Sequence, residues 1–541
     1  MKKNDIVTLE VTAITGEGSG VGRADGMVVF VPFTAIGDIC RVKLLKVTKS
    51  CAYGKLLELL TPSADRIKPD CAVFGKCGGC SLRHISYDAE AKIKEQTVID
   101  AFKRIGKLSP EFLPIIKNDR TNGYRNKAQY PLGRDKEGKA ICGFYAPNSH
   151  RIVECEDCRL QPPVFRKIVD FILDYVRERK LSVYDETQHK GVFRHICIRK
   201  GHYSGEINVT LVAKRKTPEF LPLAKALAAA FPAIKGVVLN INPDDTNVIM
   251  GDKEITLVGE SQIIDTMCGN EIAISPRSFY QVNTPMAERL YSVAKTFAEP
   301  DGKVLLDLYC GAGTIGLSMA KEAKKVIGVE ISEAAVENAK GNAARNGFEN
   351  AEFFSGDTGK ITTDLLKQGI KPDVIVIDPA RRGCDKLALD NIIAFDAPRV
   401  VMISCNPATA ARDCAYLSEN GYKTKKVQAV DLFSRTGHVE TVVQLVRKKP
   451  DTYIDITVDM DELDLTSYEA KATYDEIKNY IFDKHRVKVS SLYIAQIKQK
   501  HGIIERDCYN NSKKESPKQH QCPPEKVTLI EEALRHFKMI P

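Results

Sequence analysis

From Asp5 to Leu60 apolar and polar residues alternate with a period of two, in IVTLEV, MVVFVP, ICRVKLLKV and AYGKLLELL, with GEGSGVGRADG as punctuation. Alternation broken by glycine-rich turns predicts short antiparallel strands in a small OB-like β-barrel, of the sort that presents basic loops to nucleic acid. Between about Tyr87 and Asn283, strand-like runs such as INVTLVAK and GVVLNIN mix with helical ones such as PVFRKIVDFILDYVRERK. From Thr284 the rhythm becomes strand then helix. VLLDLY, KVIGVE, DVIVID and RVVMISC are almost continuously apolar, as strands buried on both faces are, and predict a doubly wound parallel sheet. Past TVVQLVRKK a polar, acidic linker precedes three helical stretches, near SYEAKATYDEIKNYIF, SSLYIAQIKQKHG and PPEKVTLIEEALRHF. Ser490 is placed to cap the second and Pro523-Pro524 to start the third. The expected fold class is therefore multi-domain α/β. A barrel spans 1–62, a mixed α+β central domain 63–283, a Rossmann-like domain 284–448 and a helical extension 449–541.

Composition narrows this only a little. A chain of 541 residues is too long for one hydrophobic core. Its charge of +9 permits a polyanionic partner without requiring one. No apolar run is long enough to span a bilayer, the amino terminus lacks a signal core, and a cytoplasmic protein is expected. Sixteen cysteines in a reducing compartment then point to metal or catalytic sites, not disulfides.

In VLLDLYCGAGTIG a strand runs into Gly311, Gly313 and Gly316, a G-x-G-x-x-G opening a helix. Glu330 ends the next strand, where a carboxylate would accept the ribose hydroxyls of an adenosine-containing cofactor. Dinucleotide sites have no need of an acid just ahead of the glycines; Asp307 stands there, which favours S-adenosylmethionine over NAD. Downstream, VIVIDPARRG ends a strand at Asp378 but lacks the aromatic that amino-group methylation uses. One strand later ISCNP puts Cys405 on the same ligand-binding edge. A thiol is wanted where carbon is methylated: C5 of uracil becomes nucleophilic only once a thiolate has added to C6. A base must then take the C5 proton. Glu440 in GHVETVVQLV is the candidate, ahead of His438.

The ordered set SFYQVN, DLYCGAGTIG, GVE, DPARRG, SCNP and HVET resembles the RNA uracil-5-methyltransferase family over roughly Asp5 to Val446. The resemblance implies cofactor contacts at Gln281, Tyr309, Glu330 and Asp378, Cys405 as nucleophile and Glu440 as proton acceptor. It also suggests Phe279 as a stacking partner for an extruded base, against a core role, and Asp357 as a reader of the adenine amino group.

Cys71, Cys77 and Cys80 follow C-x5-C-x2-C spacing, so three thiolates can converge on one metal centre, with Cys155 or Cys158 as the fourth ligand. Spacing leaves iron-sulfur and zinc open. The ribosomal-RNA branch of the family is similar to this chain, carrying a TRAM barrel and a [4Fe-4S] cluster whose fourth cysteine matches Cys158. Cys310, Cys384 and Cys414 are read as bystanders. TNGYRNKAQYPLGR and GVFRHICIRKG interleave cations with aromatics and are candidate RNA contacts. The resemblance thus implies C5-methylation of a uridine in 23S ribosomal RNA, in a partly assembled or unfolded state, with no membrane or obligate protein partner. Transfer RNA as substrate, or a noncatalytic RNA-binding assembly factor, are the alternatives.

Overall fold

The computed structural model describes residues 1–448, 472–503 and 522–540. These belong to two units, Met1–Asp451 and Thr452–Pro541.

The alternating amino-terminal segment closes into a five-stranded barrel of strands Ile6–Ile14, Ser19–Ala24, Met27–Pro32, Ile39–Val47 and Cys51–Thr61. Its inward positions, among them Leu9, Val11, Val29, Val31, Val42 and Leu44, are buried, as the period of two demands. Asp25 and Gly26, both at positive φ, form the two-residue turn that pairs Ala24 with Met27. Buried Asp38 fastens the barrel's exit, accepting hydrogen bonds from Arg66 and from the backbone N–H groups of Ala35 and Ser63.

A seven-stranded mixed sheet follows, covered by helices Pro163–Glu178 and Phe220–Ala230. The first helix buries Phe165, Ile168, Val169, Ile172, Leu173 and Val176, a single stripe at helical spacing.

The third layer is an eight-stranded sheet. Its strands stand in the order Ala351–Ser355, Lys325–Glu330, Val304–Leu308, Val374–Ile377, Arg399–Ser404, Glu440–Arg447, Tyr422–Val430 and Glu111–Ile116. All are parallel except Glu440–Arg447, which runs back between two neighbours. This layer reaches back before residue 284. Strand Glu111–Ile116 joins its edge, and the hairpin Ile263–Met267/Asn270–Ile274 packs into the same core as helix Thr284–Ala298. The strand–helix rhythm begins near 284, but the apolar packing recruits earlier segments.

Residues 472–540 contribute helices Tyr474–His485, Ser491–Lys500 and Pro524–His536 around Ile477, Ile481, Ile494, Ile497, Ile530 and Leu534. Ser490 accepts from the Tyr493 N–H and Pro524 opens the last helix, as expected, and Thr473 and Glu476 form a capping box. The expected acidic linker lies outside the described residues. Among the described residues no helix is long and apolar enough to cross a membrane.

Candidate active site

The turn after strand Val304–Leu308 is tight because Tyr309, Gly311 and Gly313 all take positive φ (63°, 55° and 79°). A Cβ on Gly316 would lie 2.8 Å from Asp307 Oδ2 and 2.9 Å from Val326 Cγ1, so only glycine lets the helix sit this close to the strand. The Gly316 N–H instead donates to Asp307 Oδ2 at 2.8 Å, while Oδ1 is buried with no partner among the described residues. Burial pushes the Asp307 carboxyl up to about 7. Glu330, ending the adjacent parallel strand, accepts from the N–H groups of Gly311 (3.2 Å) and Ser332 (2.9 Å) and so pins the loop.

Parallel strands deliver the remaining groups to the same edge. Strand Val374–Ile377 ends at Asp378, and strand Arg399–Ser404 ends at Cys405. Asn406 caps helix Pro407–Glu419 and donates through Nδ2 to the Arg381 carbonyl at 3.0 Å, so the two loops are tied together. Cys405 therefore lies at the amino end of a helix of 13 residues, which favours a thiolate. Against this, burial pushes the thiol up, Glu440 and Asp378 add to the rise, and Arg381 opposes it. Because Ser404 pairs with Thr441, the reversed strand begins at Glu440 where the Cys405 strand ends. Glu440 is buried and pushed up to about 8, chiefly by burial and next by Asp378, with Arg381 again opposing. Burial pushes Asp378 up to about 7.

One cavity of about 600 Å3 is lined by Gln281, Tyr309, Glu330, Asp378, Cys405 and Glu440 together. Phe279, Asp357 and His438 also line it. Phe279 is 68% exposed, so the core alternative for it fails. Asp357 spends one carboxylate oxygen on the Lys360 N–H as a helix cap. The loop carrying Phe279 and Gln281 is held from behind by Asn126, which donates to the Gln281 carbonyl, and by Arg199, which donates to that of Ser278. Sequence reasoning assigned no role to Arg381, the cation beside Cys405 and Glu440. Its place two residues past the strand-end Pro379 was the available signal. With Asp378 and Glu440 held near neutrality by burial, the cavity gains from a cationic occupant, which stabilises their ionised forms.

A second cavity, about 460 Å3, shares Arg381, Phe433 and His438 with the first and is lined by Cys71, Cys77, Cys80, Cys155 and Cys158. Among the described residues no group of three or more His, Cys, Asp or Glu side chains is gathered tightly enough to hold a metal ion. Two features nevertheless suit an anionic metal–thiolate group. Arg83, 2% exposed, donates to Asp70 and Asn122 through Nη1 and stands beside Cys80, where its charge opposes the rise that burial imposes on that thiol. The hydrogen bond between Cys155 and Cys158 pushes the Cys158 thiol down and the Cys155 thiol up.

The cysteine loop is strapped to the chain leading into Glu440. The N–H groups of Ser81 and Leu82 both donate to the Arg435 carbonyl at 3.1 Å, and the Gly437 N–H donates to Ser81 Oγ at 3.0 Å. The same segment is anchored by fully buried Lys94, whose Nζ donates to Glu90 Oε1 (2.8 Å), Asp431 Oδ1 (2.6 Å) and the Phe433 carbonyl (3.1 Å).

The two stretches expected to contact RNA are mostly internal. Tyr124, Tyr130, Phe193, Arg194, His195 and Arg199 are buried, because these segments supply central strands of the seven-stranded sheet. Arg194 donates to the carbonyls of Asn242 and Asp244, not outward. Arg125 and Lys127 remain available, on the wall of the cysteine cavity.

The model of the family described as tRNA (Uracil-5-)-methyltransferase matches residues 202–448, and that of the TRAM domain residues 2–57. An uncharacterized RNA methyltransferase of Clostridium tetani is 41% identical over 445 residues, which is 82% of this chain and 96% of the relative. One of Halalkalibacterium halodurans is 42% identical over 83% of this chain and 98% of its own. Among solved structures, the Pyrococcus abyssi tRNA (uracil-54, C5)-methyltransferase in complex with S-adenosyl-L-homocysteine superposes with a TM-score of 0.67 at 25% identity, covering 81% of this chain and 99% of that one.

Proposed function

Since this chain belongs to the RNA uracil-5-methyltransferase family and has the S-adenosylmethionine-dependent fold, we propose that it methylates C5 of a uridine in 23S ribosomal RNA through a transient bond between Cys405 Sγ and C6 of the base. The observation that carries this reading is the convergence of Cys405, Glu440, Asp378 and Glu330 on one cavity at the carboxyl edge of the sheet.

S-adenosylmethionine, when bound, supplies an electrophilic methyl group and a positive sulfonium charge. Glu330 would hold its ribose, and Gln281, Tyr309 and Asp378 would complete its contacts. A positive charge in the cavity favours the ionised forms of Asp378, Glu440 and the Cys405 thiol, which burial otherwise disfavours. The Cys405 thiolate then adds to C6, and the ring's electrons shift to make C5 nucleophilic. After C5 is methylated, Glu440 accepts the C5 proton and the bond between Cys405 Sγ and C6 breaks. Phe279, exposed at the mouth, would stack on the extruded uracil.

The reading extends to a [4Fe-4S] cluster that Cys71, Cys77, Cys80 and Cys158, which line one cavity, would hold. Arg83 would donate to this anionic group. The resemblance of the barrel and the cysteine set to the ribosomal-RNA branch of the family favours ribosomal RNA as substrate. The Pyrococcus abyssi likeness favours the second reading, transfer RNA. Mapping 5-methyluridine in both RNA pools of a strain lacking the gene decides between them. Loss confined to 23S RNA is expected, and loss confined to transfer RNA replaces the first reading with the second.

A further inference from the structure

The family model ends at residue 448, and the relatives at about 40% identity leave nearly a fifth of this chain uncovered. The helices of residues 472–540 thus have no role from that quarter. Their surface is unusual in one respect. Five cations lie over aromatic rings among residues 472–503 and 522–540, against six over residues 1–448, a body that matches the ordinary density of roughly one per 70–80 residues. Three of the cations form one face. Arg486 and Lys488 stand 5.6 and 5.8 Å from the centre of the Phe482 ring, and Lys526 stands 5.9 Å from that of Tyr493. Lys526 Nζ donates to the Lys488 carbonyl at 3.0 Å, which brings the two positive segments together.

No carboxylate among the described residues pairs with any of these three. Glu531 is engaged by Lys500 and His501, Glu532 by Lys484 and His485, and Glu476 by the capping box. Phe482 itself is 37% exposed at the carboxyl end of its helix. Cations with no carboxylate partner among the described residues, beside an accessible ring, offer what a single strand of nucleic acid requires: charge for successive phosphates and an aromatic surface for a base. An acidic peptide would use the charge and leave the ring without a planar partner.

We propose that the face formed by Phe482, Arg486, Lys488, Tyr493 and Lys526 binds single-stranded RNA, as a second contact to the substrate that the catalytic body methylates. The proposal rests on the RNA reading above. Tethered to that body by the chain, such a face raises the local concentration of RNA at the active site and leaves the chemical step untouched.

The test uses the full chain, a fluorescein-labelled oligouridine as probe, and tritiated S-adenosylmethionine with ribosomal RNA from the deletion strain as methyl acceptor. The triple variant Arg486→Gln/Lys488→Gln/Lys526→Gln should flatten the salt dependence of oligouridine binding by about 2 in log–log slope. Phe482→Ala should weaken binding by roughly five- to a hundredfold. Both should keep the maximal rate and raise the RNA concentration needed to reach it. Thermal unfolding checks that each variant is folded, and Lys488→Arg/Lys526→Arg, which keeps the charge, should bind as the wild type does. Unchanged slope and affinity in folded variants would overturn the proposal, as would displacement of oligouridine by oligoglutamate as readily as by unlabelled oligouridine. A wild-type chain that binds oligouridine through this face yet methylates no RNA would instead count against the proposed function.

Discussion

Glu440 has to be a carboxylate to accept a proton, yet burial holds it near 8 where the ordinary value is 4.5. The kcat/KM for S-adenosylmethionine, which reports the cofactor-free protein, should therefore climb with pH and level off above about 8, as read from initial rates of tritium transfer. Maximal turnover levels off at lower pH, because the sulfonium charge favours the carboxylate. A kcat/KM already flat from pH 6 would remove Glu440 as the base. Glu440→Gln should lower turnover by about 10²–10⁴-fold and leave methylated RNA attached to the protein, visible on a denaturing gel. The same burial has a cost in stability. The folded carboxyl binds its proton more tightly than the unfolded one, so stability falls as pH rises from about 4.5 to about 8 and is flat beyond. Glu440→Gln should accordingly melt higher than the wild type at pH 9 and alongside it at pH 4. On the cofactor side, Glu330→Gln should weaken calorimetric binding of S-adenosylhomocysteine about tenfold or more, through lost charge-assisted hydrogen bonds to ribose and to the Gly311 loop.

Between elements, the helix Tyr87–Asp100 and the segment 431–438 are joined by one buried ammonium between two buried carboxylates. Lys94→Met leaves Asp431 without its cation and Glu90 with Arg435 alone, at 3.5 Å, and should cost about 3–5 kcal/mol in denaturant unfolding. Lys94→Met/Asp431→Asn should recover much of that, since Asp431 then carries no charge and Glu90 keeps Arg435 as its partner. A loss below 1 kcal/mol for the single variant would mean that the network does not hold the segment that leads to Glu440. None of this was legible in the sequence, because the partners stand more than 330 residues apart and buried lysines carry no pattern. What was legible was periodic or punctuated: the barrel from its alternation, the parallel strands from their apolar runs, the carboxyl edge from glycines and strand-end acids. Strand Glu111–Ile116 escaped because a short apolar run does not say which sheet it will join. The basic, aromatic stretches misled for a related reason. Residue type reports charge, but burial in the central sheet turns Arg194 and Arg199 inward to carbonyls.

At the scale of the whole molecule, a barrel, a thiol-lined cavity and a catalytic sheet meet around the segment that precedes Glu440, with Ser81 and Leu82 tying the cysteine loop to Arg435. Iron retention separates the two candidate fourth ligands. Cys158→Ser should emerge from anaerobic purification with little iron, and Cys155→Ser with its iron intact; the reverse would reassign the ligand, and zinc in both would replace the cluster. The most direct test of the account is to incubate the wild-type chain with S-adenosylmethionine and 23S RNA containing 5-fluorouridine, where the C5 substituent cannot leave as a proton. A stable protein–RNA adduct should form, with mass spectrometry placing the modified base on Cys405, and Cys405→Ala should give neither adduct nor methylation. Full methylation by Cys405→Ala, or an adduct on any other residue, would contradict it.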